Sequence, residues 1–165
     1  MSSNLEVKLK RQGICTVRQL LLMNQTQVDA IKLSKKTLKA LRLYPLVVSA
    51  ENITVCFETD KTTGTNIGHL KFDLVSHTVQ WVKKDERGLG VSYNIVVGTQ
   101  EKHVLLANQA AFLPDSKKAA RKVIKLSFNW SLANSLGGPN GCFVVVRILS
   151  DSFRGLDVEY LVPLQ

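Results

Sequence analysis

Two runs of cations are the densest chemically competent groups in this chain: Lys35, Lys36, Lys39 and Arg42, and then Lys117, Lys118, Arg121, Lys122 and Lys125. The first run has spacings of three and four, which place its side chains on one face of a helix. The second puts five positive charges into nine residues. Ammonium and guanidinium groups held this close neutralise phosphates and release counterions, so the affinity they supply is independent of base sequence and falls with salt. Tyr44, Trp81, Tyr93 and Trp130 could stack on bases. Each sits in a strand pattern or at a helix end, however, where core packing is the expectation.

Other chemistries find little support. His69, His77 and His103 have no metal spacing, and no Cys/His pair is close in sequence. Gly88-Leu89-Gly90 and Gly137-Gly138 lack the Lys-Ser/Thr of a phosphate-binding loop and read as hairpin turns. No nucleophile-elbow motif is present, and Asp60, Asp73, Asp85 and Glu86 form no convincing acid–base pair. The expectation is a protein that is not an enzyme and uses no metal or cofactor. Cys15, Cys56 and Cys142 are too far apart for a disulfide framework and read as buried structural thiols, which fits an intracellular, reducing setting. No apolar run reaches the roughly 18 residues of a membrane span, and no secretory leader is recognisable.

The net charge of +9 is unevenly placed. Residues 1–50 hold nine Lys/Arg against Glu6 and Asp29, a surplus of seven. A basic end on a nearly neutral body points to an acidic partner: nucleic acid or nucleoprotein, an anionic membrane surface, or an acidic protein.

The elements that would position these cations divide at residue 45. Residues 1–45 read as a basic helical module. Gly13 is a natural stop for a first helix. Thr16 with Gln19 makes a capping box for a second, and Thr26 with Asp29 repeats the device for a third. Ser34 caps a fourth, with Leu38 and Leu41 on one face and the lysines on the other; Pro45 ends it. Residues 9–20 and 28–38 resemble the helix-hairpin-helix class. The phrase Gly13-Ile14-Cys15-Thr16-Val17-Arg18-Gln19-Leu20 is similar to one in the C-terminal domain of the RNA polymerase α subunit and in the N-terminal domain of RecA-like recombinases. The resemblance implies DNA phosphates at the last hairpin, where glycine amides open a helix. Leu33-Ser34-Lys35 has no glycine, so the contacts carried over are Ser34, Lys35 and Lys36, with Lys39 and Arg42 beside them.

Residues 46–165 read as a β-rich body. Alternation predicts strands around Ile53–Glu58, Val91–Val97 and Ile124–Leu132. Further strands are expected at Gly68–Leu74 and Val75–Val82 with a bend at Ser76-His77, from Val104, and at Val158–Val162. Gly141–Leu149 is the densest β-branched run and reads as a strand buried on both faces. The expected fold class is α+β: a small helical module followed by an antiparallel sandwich or jelly-roll-like body of seven to nine strands. A basic helical start, a strand-rich body and no catalytic signature resemble, in type, small structural proteins of RNA viruses: matrix, coat and movement proteins. That resemblance implies retention of nucleic acid, self-association into a homo-oligomer, and a place in the host cytoplasm or nucleus.

Overall fold

In a computed structural model that describes residues 3–41, 47–77, 90–99, 104–114, 120–131, 143–151 and 155–164, four short helices precede seven strands in two antiparallel sheets. The helices are α1 (Ser3–Arg11), α2 (Val17–Leu21), α3 (Gln25–Ile31) and α4 (Lys35–Leu41). Gly13 takes a positive φ of 75° as the chain leaves α1. At α2 the Gln19 amide donates to Thr16 Oγ1 (3.1 Å) and the Thr16 amide donates to Gln19 Oε1 (3.0 Å), closing the expected box. The expected cap at Thr26 is corrected: Thr26 lies inside α3, and Asn24 caps it. The Gln27 amide donates to Asn24 Oδ1 (2.9 Å) and the Asn24 amide to Gln27 Oε1 (3.0 Å). Gln27 is long enough to reach back to the cap amide, which completes the reciprocal pair. Asp29 instead accepts from Gln25 Nε2 (2.7 Å).

The helices bury Leu9, Ile14, Leu20, Leu21, Val28, Ile31 and Leu41 in one cluster, to which the body contributes Val47 and Leu156. Half-buried Arg18 reinforces this seam by donating from Nη1 to the carbonyl of Val48 (2.5 Å). Burial pushes its pKa below the ordinary arginine value.

The strands are β1 (Val47–Thr59), β2 (Asn66–His77), β3 (Gly90–Thr99), β4 (Leu105–Pro114), β5 (Arg121–Asn129), β6 (Phe143–Ser150) and β7 (Val158–Pro163). The first sheet has the order β1-β2-β5 and the second β4-β3-β6-β7. Their inward residues meet in one cluster that includes Leu70, Phe72, Ile124 and Phe128 from the first sheet and Tyr93, Ile95, Val146 and Ile148 from the second. Period-2 alternation accounts for these strands, since every second residue must face that core. Gly68 lies opposite Phe128 in the register, and a Cβ there would stand 2.6 Å from the Phe128 ring. The glycine makes room for the aromatic side chain.

Two strand expectations are corrected. β2 runs unbroken through Ser76 and His77, where a bend was expected. Ser76 is held on both sides: its amide donates to the Ala120 carbonyl, and its Oγ accepts from the Ala120 amide. β5 ends at Asn129, and the chain turns helically at Trp130, whose ring packs 4.2 Å from Phe57. β6 is central in its sheet, and Val144, Val145, Val146 and Ile148 are all buried; the expectation of burial on both faces holds only in part, because Arg147 on the outer face reaches solvent. Cys15 and Cys56 are exposed, not buried; Cys56 takes an outward position of β1, and Cys15 precedes the cap of α2. Tyr44, Trp81, His103, Cys142, Gly88, Leu89, Gly137 and Gly138 lie outside the described residues, and Gly90 opens β3. No helix among the described residues is long and apolar enough to cross a membrane.

Candidate nucleic-acid interface

The first cation run lies on α4, as its spacing requires. Lys35, Lys36 and Lys39 are exposed, and Arg42 lies outside the described residues. Ser34 is occupied in capping: its Oγ accepts from the Thr37 amide (3.1 Å) and lies 2.9 Å from Thr37 Oγ1. Lys32, which belongs to neither run, joins this group. It ends α3 in the left-handed conformation, φ 52° and ψ 57°, and stands three and four residues before Lys35 and Lys36. A lysine therefore occupies a backbone conformation that glycine enters at less cost.

The second run is divided by the sheet. Lys117 and Lys118 lie outside the described residues. Lys122 and Lys125 are exposed on β5. Lys125 is registered directly opposite Lys71 of β2, so two lysines stand side by side on the outer face of the first sheet. Like charges directly opposed across strands are destabilising. Their sequence separation hid this pair, although the alternation of both strands, once registered, produces it.

Five other described cations have local partners. Lys8 Nζ donates to the Ile31 carbonyl, Lys10 pairs with Glu6 (2.8 Å), and Arg18 holds the helix–body seam. Arg147 pairs with Glu159 (2.7 Å). Arg121, expected as a contact residue, sits between two acids, with Nη2 3.0 Å from Glu51 and Nη1 3.5 Å from Asp73. The other described cations face solvent: a group at the α3–α4 turn (Lys32, Lys35, Lys36, Lys39), a group on the first sheet (Lys71, Lys122, Lys125), and Arg11 and Lys61, which stand apart from both groups in sequence.

The outer face of the first sheet also carries a polar row that no sequence motif announced. His69 Nδ1 lies 2.9 Å from Ser127 Oγ, and His69 Nε2 lies 2.9 Å from Glu58 Oε1. The second approach is close but poorly aligned for a hydrogen bond. Serine, histidine and carboxylate in line could polarise a hydroxyl, yet here they join three neighbouring strands on an open face. Among the described residues, no group of three or more His, Cys, Asp or Glu side chains is placed to hold a metal ion. A cavity of about 290 Å³ opens among the helices, lined by Leu9, Ile14, Val17, Leu20 and Leu41, with Cys15 at its wall.

No protein-family model matches the chain, and no curated protein matches its sequence.

Proposed function

We propose that this chain is a non-enzymatic basic structural protein that holds nucleic acid or nucleoprotein through two groups of lysines and associates with copies of itself. The observation that carries this reading is the sorting of the cations. Five described Lys/Arg side chains are taken up by acids or carbonyls within the fold, whereas Lys35, Lys36 and Lys39 on α4 and Lys71 and Lys125 on the first sheet face solvent. Lysines left without an intramolecular acid are available to phosphates, where neutralisation releases counterions. In this reading the body is an antiparallel sandwich of jelly-roll type, and the protein works as small viral matrix, coat and movement proteins do. The helix-hairpin-helix reading, an accessory DNA-binding module, draws support from α3 and α4, which are joined by a short turn with Lys32 in the left-handed conformation.

The test is binding of single-stranded RNA, duplex DNA and anionic vesicles by the wild type and by a Lys35→Glu, Lys36→Glu, Lys39→Glu variant. Loss of RNA binding in a variant with unchanged circular dichroism is the expected result. Unchanged binding removes α4 from the interface. Duplex preference, with contacts confined to residues 10–42, favours the helix-hairpin-helix reading, and vesicle binding without nucleic-acid binding replaces both with an anionic membrane surface.

A further inference from the structure

The two sheets end in four edges: β1 and β5 on the first, β4 and β7 on the second. A sheet edge offers a row of backbone donors and acceptors to another chain unless charge, a bulge or shortness blunts it. Three of these edges are blunted. β1 carries Glu51 and Glu58 and an irregularity between Glu51 and Thr54, where Asn52 takes φ 53°. β5 carries Arg121, Lys122 and Lys125. β7 is six residues long, with Glu159 inside it and Pro163 at its end. β4 differs from all three in charge, although Leu106 is an extra residue in its ladder with β3 and Pro114 ends it. It runs for ten residues, LLANQAAFLP, without one charged side chain. Leu105 and Phe112 on it are 57% and 50% exposed. Among the described residues, β3 is the strand it pairs with.

We propose that β4 pairs antiparallel with β4 of a second copy about a two-fold axis, joining two four-stranded sheets into one of eight strands. This rests on the self-association reading and gives it a surface. Charge selects the edge. Copies of a chain with net charge +9 repel wherever cations meet cations. Self-pairing of β5 would set Arg121, Lys122 and Lys125 against themselves, whereas self-pairing of β4 brings no charge to the joint. The neighbouring outer face of the second sheet continues the neutral surface: within its strands the only charges facing outward, among the described residues, are Arg147 and Glu159, and they pair with each other. Length is sufficient too. An antiparallel ladder along the regular part of the strand, residues 107–113, supplies about seven backbone hydrogen bonds, within the range a typical stable interface carries. Isologous pairing of one strand with its copy satisfies both edges at once and closes the assembly.

Sedimentation equilibrium on nuclease-treated protein in high salt tests the proposal. The wild type is expected as a dimer. Asn108→Lys and Asn108→Glu, changes at an exposed site near the middle of β4, are each expected to run at half that mass with unchanged circular dichroism. Mixing the two is expected to restore the dimer, because only self-pairing brings position 108 of one copy close to position 108 of the other. Leu105→Lys is a second monomerising variant if either Asn108 change unfolds the chain. A dimer that survives both Asn108→Lys and Leu105→Lys overturns β4 pairing and leaves self-association to another surface. A wild type monomeric at every concentration overturns both, while RNA binding by the α4 lysines is decided separately.

Discussion

The outer faces of the two sheets rest on the same core and are built from the same alternation, but they carry different residues. Facing outward on the first sheet are Glu51, Glu58, His69, Lys71, Asp73, Arg121 and Lys125. Facing outward on the second are Ser92, Asn94, Val96, Asn108, Ala110, Phe112, Val145 and Leu149, with Arg147 and Glu159 closed into one ion pair. Burial dictates the inward positions of both, so those residues carry information about folding. The outward positions are released from that demand, and their divergence carries information about what each face meets. A charged face suits a polyanion, and a neutral one suits a copy of a chain that repels itself.

The dependence of both faces on one core sets the largest expected effect. Phe72 is 1% exposed and belongs to the cluster that both sheets share. Phe72→Ala should cost about 3–5 kcal/mol, measured by denaturant unfolding, and RNA binding by the first face and dimerisation by the second should fail together. Retained dimerisation in a variant with a collapsed first sheet would show that the sheets fold separately. Gly68→Val comes next. The added Cβ would stand 2.6 Å from the Phe128 ring, and such overpacking costs about 1–3 kcal/mol. A neutral outcome would mean that Phe128 swings aside at no cost.

The two faces should separate at the third level of effect. Lys71→Gln with Lys125→Gln removes two candidate phosphate contacts, and the slope of log affinity against log salt should fall by about one for each. Arg147→Gln, on the neutral face, should leave that slope as it is. Stability should move the other way: Lys71 and Lys125 are opposed across strands, so their removal should raise it by about 0.2–1 kcal/mol. A pair that weakens binding when present, or stabilises the fold, would dissolve the distinction between the faces.

Much of this architecture was legible in the residues, for identifiable reasons. The caps Thr16 and Ser34, the stop at Gly13 and the strands β3 and β6 depend on near neighbours in the chain, where spacing is sufficient. Features that depend on register were hidden. Ser127 and His69 lie 58 residues apart, and Lys71 meets Lys125 only once β2 and β5 are aligned. Cys56 misled because apolar neighbours in sequence alternate across a strand: Val55 faces inward against Leu70, and Cys56 itself faces water. The unbroken β2 was missed because Ser76 and His77 carry turn-prone polarity that tertiary hydrogen bonds absorb, Ser76 with Ala120 and His77 with Ser49.

Arg121 marks the smallest effect and tests the sorting most closely. In sequence it is one of five cations in a run and reads as a contact residue. In the fold it is shared between Glu51 and Asp73, and Asp73 also accepts from Asn52 Nδ2 (2.8 Å) at the irregular turn of β1. These groups stand partly in water, where an ion pair contributes about 0–1 kcal/mol because solvent screens it and two side chains are immobilised. Arg121→Ala should therefore change stability by no more than that. Its effect on RNA binding has a different origin from that of the lysines: the salt slope should be nearly unchanged, since no phosphate contact is lost, while affinity at any one salt concentration should drop slightly, because Glu51 and Asp73 would be left without their cation on the face proposed to meet the polyanion. A slope reduced by a full unit would show that Arg121 leaves its acids for phosphate on binding, and the cations of this face would then have to be counted by what they reach in the complex.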